Sequence, residues 1–401
     1  MRHGQTLKRW KAPVAAGAAL GAGGALIALV ALVALVALVA MPRPAKAAET
    51  TASSGFAVHP WWGSGERAVQ FYVPAEVEYR AGPFAAGLLT AYAHTWRRGS
   101  GGEDASLSAL LDTKLTTSYS AVGRLPVDVL LGLDLNLPTG KTRLSRREAS
   151  LVMDPDLVPI TSFGEGFNAN PTLALARSWG AVAAGVGAGY AWRGSYDLGS
   201  AAGGDDYDPG DVVTLSAEVR WAFAPTWEAR LAGGYARYGR DELDGKEVLG
   251  EGDFWSLLAG CSRDWGRWSA SADVQGIFRQ KSEVLSADGT LGTEPERSRG
   301  PEWRGAARAG YALDDATRLT AALEGQYTAE NGYSDDSPFF VGSRERVALT
   351  AGVGRQFASV WEAQADLGGF YLHTEESRLA PALDAGTYLG LVVRALVTVR
   401  F

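Results

Sequence analysis

The chain ends in Leu389-Gly-Leu-Val-Val-Arg-Ala-Leu-Val-Thr-Val-Arg-Phe401, and this stretch decides the fold class. Every second residue from Leu389 to Phe401 is apolar, whereas the residues between them include Arg394, Thr398 and Arg400. Because successive side chains of a β-strand point to opposite faces, this alternation predicts a strand with one wholly apolar face. Such a strand separates an apolar medium from an aqueous one.

The same alternation recurs upstream, which predicts an all-β protein. Glycine reaches 50 residues and tryptophan 13, a composition that suits many strands with aromatic ends. A soluble sandwich buries the apolar face of each strand and a membrane barrel exposes it, so alternation alone does not separate the two classes. The clearest upstream segments are 127–137, 213–223, 319–327 and 361–371.

The connections between the predicted strands distinguish the two classes, because short and long ones alternate along the chain. Short turns at one end and long loops at the other are typical of outer-membrane barrels. The short connections are Ala81–Pro83, Val122–Leu125, Trp179-Gly180, Ala224–Thr226, Trp265–Arg267, Asp314–Ala316 and Ala358-Ser359. The long ones lie near 97–104, 138–168, 194–210, 241–251, 281–300, 329–343 and 374–386.

Aromatic residues gather beside the short turns, as in Trp221, Trp265 and Trp361, and a second set including Tyr190 and Tyr327 falls near the opposite strand ends. Amphipathic rings prefer the headgroup level of a membrane, so the two sets predict two interfacial girdles. The end of the chain resembles the C-terminal signature of outer-membrane barrels. That resemblance implies an assembly signal, read by the barrel-assembly machinery, in Val397, Val399 and Phe401.

Residues 1–47 predict a cleaved signal peptide. A basic start is followed by an uncharged apolar run from Ala12 to Ala40 and by the small-x-small triplet Ala45-Lys46-Ala47. The competing interpretation of the long apolar run is an uncleaved anchor. Loss of six basic residues with this segment would take the formal net charge from −7 to −13. An exported chain this acidic is a poor candidate for binding nucleic acid.

Counting strands back from the C-terminus predicts a transmembrane antiparallel β-barrel of about 14 strands, within 12–16, over residues 81–401. Residues 48–80 then form an N-terminal periplasmic or lumenal segment. An additional strand near Phe56–Trp62 is the alternative, and it would complete sixteen.

Charged residues of both signs fall on the face that a barrel turns towards its lumen. They predict either a wet passage with a transverse field or a narrow lumen closed by mutual salt bridges. The longest connection, 138–168, either folds into the barrel as a constriction or lies on the surface. The predicted pore-lining residues are Arg220, Arg230, Asp273, Arg304, Arg308, Arg318, Glu324, Arg346, Glu362, Asp366 and Arg394.

Sites of other kinds are not indicated. The Pro138–Thr142 stretch is not a phosphate loop, because Leu135 stands where that loop needs glycine. A single Cys261 allows no intramolecular disulfide, and no Ser or acid is patterned with His59, His94 or His373. We therefore predict no enzymatic activity, no cofactor and no metal.

The stretch Leu135-Asn-Leu-Pro-Thr-Gly140, followed after a long loop by Asn170-Pro-Thr-Leu173, resembles the putative outer-membrane proteins of the phenol-degradation (MetA-type) pathway. That family is related in shape to the long-chain fatty-acid and aromatic-hydrocarbon channels. The resemblance implies a porin-like channel in the Gram-negative cell outer membrane for passive uptake of small solutes, hydrophobic or aromatic ones included. Its partners would be outer-membrane lipid, lipopolysaccharide and the solute. The alternative is a non-transporting barrel that serves as scaffold, adhesin or partner subunit through its extracellular loops.

Overall fold

The computed structural model describes residues 48–199, 206–286, 288–379 and 383–401, so the predicted signal peptide lies outside the described residues. The described ranges contain one short helix, α1 (Arg146–Ala149), and no helix long and apolar enough to cross a membrane. The strands are β1 (Ala48–Gly63), β2 (Glu66–Ala81), β3 (Phe84–Arg98), β4 (Asp104–Leu110), β5 (Thr113–Ala121), β6 (Asp128–Leu137), β7 (Asn168–Trp179), β8 (Val182–Arg193), β9 (Tyr196–Asp197), β10 (Asp206–Asp208), β11 (Val212–Ala224), β12 (Trp227–Tyr238), β13 (Arg240–Leu243), β14 (Lys246–Gly250), β15 (Phe254–Trp265), β16 (Trp268–Arg279), β17 (Glu283–Leu285), β18 (Leu291–Thr293), β19 (Glu302–Ala312), β20 (Thr317–Thr328), β21 (Arg344–Phe357), β22 (Trp361–Thr374) and β23 (Gly386–Arg400).

The wall is a closed antiparallel barrel of sixteen strands. The first strand, β1, pairs with its neighbour β2 and also with the last strand, β23, which closes the cylinder. One wall strand is interrupted, since β4 pairs with the upper part of β3 and β5 with its lower part. The wall therefore consists of β1–β3, β4 with β5, β6–β8, β11, β12, β15, β16 and β19–β23.

The prediction of about fourteen strands is wrong, and so is the placement of residues 48–80 in the lumen. These residues form β1 and β2, so the barrel begins at Ala48 rather than at residue 81. The alternative strand near Phe56–Trp62 is the correct one. The count failed because β1 and β2 are joined at the extracellular end by the tight turn Ser64-Gly65, whose residues both have positive φ. The loop-length pattern predicted a long connection at that end.

The burial pattern is inverted relative to a soluble sandwich. In β23 the apolar set that includes Leu389, Leu391 and Val393 is exposed, whereas Tyr388 of the other set is buried inside. Large apolar side chains are exposed all around the wall, as at Leu367, which is 63% exposed. An apolar exterior on a closed barrel with an even number of strands is the construction of an outer-membrane protein. The chain is therefore an outer-membrane β-barrel.

Two levels of exposed aromatic rings lie on this exterior. Trp179, Trp221, Trp268, Phe357 and Trp361 stand at the end that carries the short turns. The outward rings at the opposite end are Trp62, Tyr190, Trp192, Trp255, Trp303, Tyr327 and Tyr371. These levels are where amphipathic rings meet the lipid headgroups.

A second sheet extends from the long-loop end of the wall. Its six strands are ordered β9-β10-β13-β14-β17-β18 and belong to three consecutive extracellular hairpins. Backbone pairing between neighbouring hairpins ties the three loops together, so they form a continuous extension of the wall on that side.

Candidate functional site in the lumen

The connection between β6 and β7 leaves the wall at Leu137 and returns at Asn168, and we call residues 138–167 the inner loop. Asp112, in the break between β4 and β5, fixes both of its ends. The carboxylate of Asp112 accepts the Gly140 N–H at 2.7 Å and the Glu165 N–H at 2.6 Å. It also accepts the Asn136 side-chain amide at 2.7 Å. One carboxylate therefore binds both the segment that leaves the wall and the segment that returns to it.

The Pro138-Thr139-Gly140 motif has a structural role at this point. The Thr139 hydroxyl accepts the Thr113 N–H at 2.8 Å and donates to the Leu111 carbonyl at 3.0 Å, so it satisfies backbone groups at the β4–β5 break. A Cβ on Gly140 would lie 2.2 Å from the Phe163 carbonyl oxygen, a distance that excludes every other residue there. The motif thus holds the two chains of the inner loop in contact at its base.

The inner loop folds into the barrel and packs against the inner wall, so the inward arrangement is confirmed. Met153, Leu157 and Val158 pack with inward side chains of β1, β2, β22 and β23 in one buried cluster. Leu151 and Phe163 pack in a second cluster with the alanines and Leu107 of β3 and β4. The wall residues of the first cluster are Trp61, Ala68, Phe370, Leu372 and Tyr388.

A buried amide holds the middle of the inner loop. The Gln70 side chain, which is fully buried, accepts the Ile160 N–H at 2.8 Å and donates to the Ile160 carbonyl at 2.9 Å. It also donates to the Thr95 hydroxyl at 3.2 Å. Both backbone groups of Ile160 are thereby satisfied away from water, where an unpaired polar group is costly.

Arginines of the wall make further contacts with the inner loop. The Arg344 guanidinium donates to Asp154 at 2.8 Å and to Asp156 at 3.1 Å, and all three side chains are mostly buried. Arg346 donates to the Asp156 carbonyl at 2.9 Å, and Arg97 donates to the Ser150 carbonyl at 2.7 Å. These anchors lie on β21 and β3, on either side of the seam where the barrel closes.

The helix α1 carries a carboxylate whose pKa is strongly lowered. Glu148 accepts the Lys141 ammonium at 2.6 Å and forms a capping box with Ser145, whose N–H donates to it at 3.0 Å. The Lys141 hydrogen bond, followed by the bonds from Ser145, lowers the Glu148 pKa from 4.5 to about 2.

We expect the contribution of Glu148 to the stability of the inner loop to be fully present above pH 4.5 and lost as the pH falls towards 2. A depressed carboxyl pKa stabilises the folded form only while the group is ionised. Carboxyl-carbon NMR of the folded protein, recorded between pH 6 and 2, measures this titration. In the variant Lys141→Met the midpoint should move upwards. A wild-type midpoint near 4.5 would contradict the prediction.

Opposite the inner loop, the wall carries a lattice of ion pairs. Glu218 accepts hydrogen bonds from both Arg220 and Arg230, and the Arg230 contact is 2.6 Å long. Arg308 donates to Asp273 at 2.7 Å and lies 3.8 Å from Glu324. These ion pairs are not buried, because the Arg220, Arg308 and Glu324 side chains remain 52%, 50% and 50% exposed.

Short side chains line the neighbouring part of the inner wall. The inward positions of β7 and β8 are taken mostly by alanine and glycine, among them Ala174, Ala176, Gly185 and Gly187. In the described ranges the two buried clusters and the contacts of Gln70 and Arg344 with the inner loop lie on β1–β4 and β21–β23, whereas β6 and β8 contact only its returning end, at Gly166 and Phe167. The inner loop therefore covers one side of the inner wall, and we call the uncovered side, which carries the half-exposed ion pairs, the open side of the lumen.

All eleven predicted pore-lining residues occupy inward positions of the strand register. The ion pairs bring Arg220 together with Arg230, Asp273 with Arg308 and Glu324, and Asp366 with Arg394 at 2.8 Å. Glu362 pairs with Arg400 at 3.1 Å and Arg304 with Glu302, whereas Arg318 donates to the Ser269 hydroxyl. Their function in a pore stays a prediction.

Sequence reasoning did not single out the residues that anchor the inner loop. Gln70 and Thr95 belong to amphipathic strands like many others, and Arg344 lies at a strand end where a charge is ordinary. The one available signal was Asp112 next to the Pro-Thr-Gly motif, whose interaction depends on chains that are distant in sequence.

The three histidines outside the predicted signal peptide lie apart. His59 faces the lumen and stacks on Tyr72 with ring centroids 5.8 Å apart. His94 faces outwards and its Nδ1 lies 2.8 Å from the Ser108 hydroxyl, while His373 lies on β22 opposite Glu345. The described residues hold no group of three or more His, Cys, Asp or Glu that could bind a metal ion.

Comparison with known proteins finds similarity in architecture alone. No protein family matches the sequence, and no curated protein matches it either. Among solved structures, the chain is similar to OpdQ of Pseudomonas aeruginosa, with 12% identity, coverage of 89% of this chain and 100% of the other, and a TM-score of 0.41. An anion-selective porin from Comamonas acidovorans has 12% identity, coverage of 88% and 99%, and a TM-score of 0.40. The monoaromatic hydrocarbon channel CymD has 11% identity, 88% coverage of both chains and a TM-score of 0.40. These values are too low to assign the chain to any of these families.

Proposed function

We propose that this protein is an outer-membrane channel for the passive uptake of small solutes, with the inner loop as its constriction. The observation that carries the proposal is the half-exposed lattice of ion pairs on the wall opposite the inner loop. Side chains that filled the lumen would bury one another. Here the arginine side chains keep about half of their surface exposed inside a sixteen-stranded wall.

The solutes that fit this passage are polar. The open side of the lumen presents arginine and carboxylate groups beside a wall of alanine and glycine, so a permeating molecule meets charges and water. The inner loop covers several of the large apolar side chains that face the interior, among them Trp61, Phe370 and Leu372. This surface favours small hydrophilic or charged solutes over the hydrophobic and aromatic ones that the MetA-type resemblance implies.

Planar-bilayer recording of the folded protein tests this proposal. We expect discrete single-channel steps in potassium chloride from protein whose folding is verified by its heat-modifiable migration. The control is the same preparation after thermal unfolding, which should give no steps. The absence of conductance steps from the folded protein would overturn the proposal and would favour a scaffold or adhesin that acts through the extracellular hairpins.

A further inference from the structure

We propose that a cluster of arginines on the outer surface of β2–β4 binds a phosphate group of the outer-leaflet glycolipid, lipopolysaccharide. Arg67 and Arg98 stand directly opposite each other in the β2–β3 register. Both point away from the lumen, because their neighbours Ala68 and Arg97 contact the inner loop or the interior. Each guanidinium carbon lies 5.8 Å from the ring centroid of Trp96, on the same outer face.

The position of this cluster matches the headgroup level of the outer leaflet. Arg67 and Arg98 lie at the long-loop end of their strands, and Trp96 takes the interfacial place of the upper girdle. Directly below, the same face presents Val69, Phe71 and Tyr92, which acyl chains can contact. A phosphate carried by a lipid would meet the arginines while its chains lie along this apolar wall. Contact of both kinds favours a lipid over free phosphate.

The cluster holds an excess of positive charge. Arg98 donates to both oxygens of Asp104, at 2.6 and 2.7 Å, and the loop residue Arg147 donates to the Asp104 carbonyl at 2.8 Å. In the described ranges neither Arg67 nor Glu103 forms an ion pair within 4 Å, and Arg67 interacts with the Asp104 carboxylate only at longer range. The charges of Arg67, Arg98 and Arg147 therefore act on one carboxylate, that of Asp104, whose oxygens Arg98 already engages.

The pairing of Arg67 with Arg98 destabilises the β2–β3 contact when no ligand is bound. Like charges directly opposite each other destabilise a strand pair, and Arg67 faces Arg98 in that way. A phosphate between them would convert the repulsion into charge-assisted hydrogen bonds, for which the planar guanidinium is well suited. Arg67, which makes no side-chain hydrogen bond or ion pair within 4 Å in the described ranges, is the residue whose charge a phosphate would engage.

The test uses the folded protein and purified lipopolysaccharide in detergent, with retained lipid counted by native mass spectrometry. We expect Arg67→Gln to weaken retention about tenfold, because it removes a guanidinium group that is free to bind phosphate without breaking a close ion pair. The matched control is Arg237→Gln, which removes an outward arginine at the same end of β12 and should leave retention unchanged. Heat-modifiable migration verifies that each variant is folded.

Three outcomes would overturn the proposal. These are equal retention by Arg67→Gln and the wild type, equal binding of enzymatically dephosphorylated lipopolysaccharide, and complete displacement of the lipid by millimolar inorganic phosphate. The last result would identify a site for free phosphate. The site lies on the outer surface, so single-channel conductance of Arg67→Gln should equal that of the wild type, and failure here leaves the proposed channel untouched.

Discussion

Replacement of residues 142–162 by a short Asn-Gly turn should raise the single-channel conductance roughly two- to threefold, because it removes the material that fills one side of the lumen. The design preserves the base of the inner loop, where the Lys141 N–H donates to the Phe163 carbonyl at 2.8 Å and Asp112 holds Gly140 and Glu165. The wall should remain intact, since its strands pair with each other without the deleted residues.

The matched control shortens a different extracellular loop, at 333–338, which contributes to neither of the buried clusters of the lumen. Its conductance should stay at the wild-type value. If the replacement of 142–162 gave a folded protein with unchanged conductance, the inner loop would not be the constriction, and the narrowest point would have to lie among the wall residues.

The variant Arg344→Met should detach the inner loop from the wall while the barrel stays folded. It leaves Asp154 and Asp156 facing the wall without their cation, and those carboxylates are 16% and 9% exposed. Removing one partner of a buried ion pair costs about 3–5 kcal/mol. Part of that cost is avoided here, because the freed loop can move into water.

Hydrogen–deuterium exchange at the Ile160 amide measures this effect, since that N–H is bonded to Gln70 in the docked loop. We expect its exchange to accelerate on the order of a hundredfold, equivalent to about 3 kcal/mol. Adding Asp154→Asn and Asp156→Asn to the variant should restore much of the protection, because no charge is then left unpaired. Arg318→Met is the control, since Arg318 donates to the Ser269 hydroxyl and does not contact the inner loop in the described ranges. Unchanged protection in Arg344→Met would show that apolar packing alone docks the loop.

The alternating sequence was enough to predict a barrel because each strand separates two media. Leu389, Leu391 and Val393 face lipid and Arg394 faces water. The medium that each side chain faces therefore determines the residue type at its position, without reference to distant residues. The same local rule placed the eleven charged residues on the inner face, and the loop lengths indicated which end carries the long connections. No contact between distant residues is needed for these predictions.

Tertiary structure alone decided the strand number and the path of the inner loop. The strand number depended on the turn Ser64-Gly65, which is short although the loop-length pattern predicts long connections at that end. It also depended on the pairing of β1 with β23, which forms only when the barrel closes. The inner loop docks through Gln70 with Ile160 and through Arg344 with Asp154, pairs that are 90 and 190 residues apart. Local periodicity determines which medium a side chain meets, whereas the closure of the wall determines which distant side chains meet each other.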